Sequence, residues 1–120
     1  MKTKDVVIVG ADGRVVCKGA LADNPLTRMR GLLGRDSLPP GEGLLISPTP
    51  SIHTFFMRFA IDAVFLDRDH RVVSVVPQLH PWRTASRRKA RAVLELAAGE
   101  AQRRGVVPGE RLQVIAGAPA

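Results

Sequence analysis

The sequence predicts a mainly β protein carrying one or two short helices. Two stretches read as hairpins: DVVIVG-ADG-RVVCKGALA near the start and AVFLD-RDH-RVVSVV in the middle. Their arms are rich in β-branched valine, and their centres hold turn-forming residues. Helical spacing of apolar residues, by contrast, appears only in short stretches closed off by glycine. No apolar run approaches the roughly 18 residues that a membrane-spanning helix requires.

In the first hairpin, Asp12-Gly13 supplies the positive-φ turn chemistry. A helix is then expected to start at Asp23 or Asn24, with Pro25 in its first position. Leu26, Met29, Leu32 and Leu33 would share one face, and Gly34 would close it. LPPGEG reads as a loop, LLIS as a buried strand, and Pro48–Pro50 as another loop. Ile52–Phe59 is apolar and aromatic enough for a strand, with Phe55 and Met57 on one face and Phe56 on the other. In the turn Asp67–His70, His70 occupies a slot that glycine would favour. Pro77 is expected to stop the returning arm, and Pro77 and Pro81 bracket the loop holding His80 and Trp82.

SRRKARAVLELAAGEAQRRG fits either a helix or a strand. Gly99 would weaken the helical version by about 1 kcal/mol relative to alanine, which favours a strand to Ala97 and a short helix over 99–104. In that strand Glu95 would lie on the side of Arg87, Lys89 and Arg91 and form a cross-strand ion pair. Pro108-Gly109 turns the chain into a last strand, ERLQVIAG.

With 120 residues, 45% apolar and 24% charged, the chain is expected to be one globular domain over 1–120. The MKTKDVVIVG start lacks the long apolar core and small-residue cleavage site of an export signal, so a cytoplasmic location is expected. A single cysteine, Cys17, makes no internal disulfide and reads as a buried small hydrophobe. The net charge is +7, with a surplus of five positive charges from Arg83 onward: eight basic residues against three acidic. Such a segment suits an anionic partner or simply a solvated arginine-rich surface. No aromatic residues are interleaved there, which argues against a single-strand stacking platform.

The stretch from His53 to Trp82 holds the phenylalanines, Met57, all three histidines and the only tryptophan. Together with its surroundings it resembles the family called Domain of Unknown Function 192. The matching pieces are TRMRGLLGR, GEGLLIS, HTFFMR, IDAVFLD, the proline-flanked Trp82, VLELAAG and GVVPGER, in the family's order over roughly residues 20 to 115. The resemblance implies a compact β-rich fold of barrel-like or sandwich type and supports the strand reading of Ala90–Leu96. It transfers no reaction. Two features depart from the family pattern. Many members carry an export signal, and the segment around Met57 commonly has a tryptophan and a polar residue where this chain has Phe56 and Phe59.

Three functions follow from these residues. In the first, the chain is a non-catalytic binding module. His53, Met57, Arg58, Asp62 and Trp82 would form a shallow site for a small molecule, glycan or peptide, with Asp62 paired to Arg58 or to a backbone amide. In the second, Arg83, Arg87, Arg88, Lys89 and Arg91 bind an anion or nucleic acid. The third is a hydrolase-like use of His53 with Asp62, but no serine, cysteine or second carboxylate stands poised beside them, so no catalytic residue is assigned. The histidines lack ligand spacing, and Asp67 and Asp69 lack the glycine and distal glutamate of a calcium loop, so no metal or cofactor is expected. The glycine pairs Gly31/Gly34 and Gly41/Gly43 are caps and turns rather than a phosphate cradle.

Overall fold

The computed structural model describes residues 3–117. Along the chain run β1 (Lys4–Val9), β2 (Val15–Ala22), α1 (Pro25–Arg30), β3 (Glu42–Ile46), β4 (Ser51–His53) and β5 (Ile61–Leu66). They are followed by β6 (Val72–Leu79), β7 (Thr84–Ser86), β8 (Ala92–Ala97), α2 (Glu100–Arg103) and β9 (Gln113–Ala116). Seven strands form one mixed sheet in the order β6-β5-β8-β3-β2-β1-β9, while β4 and β7 pair in a small sheet of their own. The mainly β reading holds. Among the described residues only β2 and β3 pair in parallel, with α1 in the crossover between them.

Valine-rich β1 and β2 pair around the turn at Gly13, whose φ of 90° suits only glycine comfortably. His70 does adopt the left-handed conformation its turn demands, with φ 63°. Where β2 meets β3, Gly19 faces Gly43, and a Cβ on Gly19 would come within 1.9 Å of the Gly43 carbonyl oxygen. Neither strand could approach the other with a side chain there.

The sheet curls without closing into a barrel. Its two edge strands touch near one end through a bridge between Arg71 and Arg111, where the Val72 amide donates to the Glu110 carbonyl. Residues from all seven strands consequently reach one cluster on the inner face, among them Ile8, Val16, Leu45, Val64, Val72, Leu94 and Val114. A second cluster lies on the opposite face, where Leu44, Ile46, Ala63, Phe65 and Val93 are covered by Leu32, Ile52 and Met57. The central strands β5 and β8 are therefore buried on both sides, every residue of each. For this reason β8 shows no in–out alternation in sequence.

Several boundaries differ from expectation. α1 begins at Pro25, capped by the Asn24 side chain, which accepts from the Thr27 amide at 2.9 Å. It ends at Gly31 instead of Gly34. Leu32 and Leu33 thus follow a turn and leave the helical phase, so Leu32 is buried while Leu26 and Met29 are exposed. The strand expected over Ile52–Phe59 shrinks to β4, because Phe56 takes a positive φ of 66° that breaks the extended run. β6 continues through Pro77 to Leu79; it is an edge strand, where a missing N–H is tolerated. β8 starts at Ala92, so Arg87, Lys89 and Arg91 precede it and do not share a strand face with Glu95.

Candidate functional site

The two loops that follow β4 and β6 are tied together by Thr54, a fully buried threonine. Its hydroxyl donates to the His80 carbonyl at 2.6 Å and accepts from the Arg83 amide at 2.9 Å. Its backbone amide donates to the Arg83 carbonyl, and its carbonyl accepts from the Trp82 and Met57 amides. Around this knot the chain twice adopts the left-handed region with a bulky residue, Phe56 at φ 66° and Trp82 at φ 65°. Non-glycine side chains in that region are strained by roughly 1–2 kcal/mol each.

The strain brings aromatic rings together in solvent. Phe56 and Trp82 lie 4.6 Å apart between centroids, Phe55 and Trp82 5.9 Å, and His53 stacks on Phe55 at 5.1 Å. Trp82 is 56% exposed and Phe56 71%. A solitary exposed aromatic ring needs no explanation, but a contiguous exposed cluster built on strained backbone does. His53 Nδ1 accepts from the Phe55 amide at 3.2 Å, which fixes the imidazole and points its other nitrogen away from that bond.

Beside this cluster a cleft of about 110 Å³ opens between α1 and β4. Arg28, Met29 and Leu33 form one wall, Ser51, Ile52 and His53 the other, and Met57 and Ile46 line its inner part. Glu95 also lines it. In β8 this residue pairs with Leu44 of β3 and Ala63 of β5, in the middle of the outer apolar cluster. It is 2% exposed, and its Oε1 has no hydrogen-bond partner. Burial alone pushes its carboxyl up to about 8, so at neutral pH it is the protonated acid. The expected ion pair with Arg87, Lys89 or Arg91 does not form.

The residues anticipated for the site separate into three places. His53, Met57 and Trp82 belong to the cleft and its aromatic border. Arg58 is exposed and pairs with Asp36 at 2.5 Å. Asp62 is buried on the inner face, where its two oxygens accept from the backbone amides of Gln78 and Ala101, both at 2.9 Å. Its partners are amides, the second of the two expected alternatives, and not Arg58. It borders a different cavity, lined by Pro77, Gln78 and Val107, and does not meet His53. Among the described residues no group of three or more His, Cys, Asp or Glu side chains is placed to hold a metal ion.

The basic segment spans β7 and the turn after it. Arg83, Arg88, Lys89 and Arg91 are exposed. Arg87 is partly buried over the Phe65 ring, 5.3 Å from its centroid, and donates to Ser74 Oγ at 3.1 Å. Sequence reasoning placed Glu95 in an ion pair and overlooked Thr54. A lone acid inside an apolar run was the available signal for the former; nothing local marks the latter, whose partners lie 26 and 29 residues away.

Comparison with known proteins matches residues 7–114 to the DUF192 family model, described as an uncharacterized ACR. A UPF0127 protein of Pyrococcus abyssi is 34% identical over 105 residues, 82% of this chain and 86% of that protein. A UPF0127 protein of Pyrococcus furiosus is 34% identical over 98 residues, 77% of this chain and 82% of that protein. Among solved structures, one from Sinorhizobium meliloti 1021, provisionally described as a transcription regulator, superposes with a TM-score of 0.80 at 27% identity, covering 94% of each chain. A protein of unknown function from Novosphingobium aromaticivorans shares the fold at TM-score 0.79 and 24% identity, over 92% of this chain and 84% of that one. No helix is long and apolar enough to cross a membrane among the described residues.

Proposed function

We propose that this chain, which belongs to the DUF192 family, is a non-catalytic binding module. Its site is the aromatic cluster of His53, Phe55, Phe56 and Trp82 together with the adjoining cleft that reaches Met57 and Glu95. The carrying observation is that two strained residues, Phe56 and Trp82, hold apolar rings in contact and in solvent. Folding alone gains little from exposed rings on left-handed backbone, whereas a ligand with a planar or apolar surface gains a preformed platform. A small molecule, glycan or peptide could stack there and send one group into the cleft. Arg58 and Asp62 have no part in this site.

Trp82 is the only tryptophan, so its fluorescence reports the platform directly. Titration with panels of glycans, peptides and small metabolites should find ligands that shift its emission and raise the melting temperature together. The Trp82→Ala variant should lose the thermal response. Panels that change neither signal would defeat the reading.

A second reading rests on Arg88, Lys89 and Arg91, three exposed cations in and just after the turn from Arg87 to Ala90, and on the description given to the Sinorhizobium meliloti neighbour. A nucleic-acid complex formed there would weaken steeply as salt rises, through counterion release. Binding to DNA or RNA that is absent, or insensitive to salt, would eliminate it.

A further inference from the structure

We infer that Glu95 selects the ligand of the cleft, and that the group it selects is an uncharged hydrogen-bonding head such as a primary amide or a hydroxyl. This rests on the cleft being the binding site. Glu95 lines the cleft, is almost fully buried, and carries an oxygen with no partner. Leaving a buried polar group unmatched costs about 1–3 kcal/mol, and a Leu or Met at position 95 would fit its apolar neighbours Leu44, Val93 and Ala63. The acid therefore has no structural partner, and the cleft is the one direction in which a bound molecule can reach it.

The charge around the cleft determines which head group fits. Flanking Glu95 on the sheet are the apolar side chains of Leu44 and Ala63. From α1 the charged groups lining the cleft are Arg28 and Arg30; from β4 there is His53; Met57 is neutral. An ammonium entering this cleft would pass two guanidiniums and would have to ionise a carboxyl embedded among hydrocarbon. A carboxylate would meet Arg28 and Arg30 favourably at the mouth but would be deprotonated and unsolvated at the floor. An amide donates to one carboxyl oxygen and accepts from the other's proton, two matched bonds with no charge to bury. The cleft's volume of about 110 Å³ admits a head group with a small apolar body beside Ile52 and Met57.

Benzamide, benzylamine and benzoate share one ring and differ in their head, so they test the inference by ligand-observed NMR and competition. At about pH 6, where a desolvated carboxyl stays protonated, benzamide should bind the wild-type protein at least about tenfold better than either charged analogue. The Glu95→Gln variant, which keeps one donor and one acceptor, should retain benzamide. Glu95→Leu should weaken it at least about tenfold while folding as stably as the wild type. Benzylamine binding better than benzamide, equal binding to Glu95→Leu, or no binding of benzamide at all would each overturn the inference. A ligand found through Trp82 fluorescence that binds wild type and Glu95→Leu alike would sink the role of Glu95 and leave the binding module standing. Panels silent at Trp82 and fragments silent in the cleft would remove both.

Discussion

Asp62 and Glu95 lie on neighbouring antiparallel strands, one register position apart, and face opposite sides of the sheet. Asp62 pairs with Leu96 on the inner face, while Glu95 pairs with Ala63 on the outer. Both acids are buried, yet their situations are inverse. Asp62 holds two backbone amides, one of them at the start of α2, and is fully employed in the fold. Glu95 has an unmatched oxygen beside a cleft. A buried carboxyl with saturated bonds is architecture, and one left unmatched calls for an explanation outside the fold.

Asp62→Ala should therefore act on stability and leave the cleft untouched. It strips the Gln78 and Ala101 amides of their acceptor, and leaving a buried donor unsatisfied costs about 1–3 kcal/mol each. Urea unfolding should show a loss of several kcal/mol, about 2–6 in total, whereas affinity of the remaining folded protein for a ligand of the cleft should stay within about twofold. A large change in affinity with intact stability would contradict the separation of the two faces.

Thr54→Val tests the knot beneath the aromatic cluster. The substitution keeps the shape but strands the Arg83 amide and the His80 carbonyl. Destabilisation of about 1–3 kcal/mol is expected, with a red shift of Trp82 emission as the two loops part. If stability fell without any spectral change, the threonine would be supporting something other than the position of Trp82.

Phe56→Gly and Trp82→Gly should separate folding from binding. Each relieves a left-handed backbone and removes a mostly exposed ring, so melting temperature should stay level or rise, by up to about 1 kcal/mol in stability. The thermal response to a platform ligand should vanish in both. Strong destabilisation by either would make the rings part of the core and deprive the site of its main support.

How far the sequence could go is clear from particular residues. Valine-rich β1 and β2, the Asp12-Gly13 turn, the Asn24-Pro25 helix start and His70's strained turn are all local, set by neighbours in the chain, and they were legible. The helix face was misread because Gly31 interrupts the period, leaving Met29 on the surface and Leu32 inside. Glu95 was misread for a tertiary reason. Only the packing of Leu32, Ile52 and Met57 over the outer face turns an apparently half-exposed strand into one buried on both faces, where Glu95 makes no ion pair. Of the residues drawn together by composition, His53 and Met57 line one cleft, and Trp82 adjoins it through Phe55, which stacks on His53. Asp62 stood equally close in sequence and went to the other face, since a strand sends adjacent residues in opposite directions.

The protonated state of Glu95 has a consequence for stability that needs no ligand. Its carboxyl is raised from the ordinary 4.5 to about 8 in the folded protein, with burial as the cause. Between those values the unfolded chain has released the proton and the folded chain has kept it. The folded state thus binds more protons, and stability must fall as pH rises, by up to about 1.4 kcal/mol per pH unit. The fall begins above the unfolded value and levels off once pH passes the folded one. Glu95→Gln has no such proton, so the wild-type-minus-variant difference in unfolding free energy isolates the effect from every other titrating group. Measured by urea denaturation from about pH 5 to pH 9, that difference should decline steadily for the wild type and flatten near the upper end. A flat difference across the range would mean that the Glu95 carboxyl reaches water or a base when folded, and the buried acid at the floor of the cleft would be lost with it.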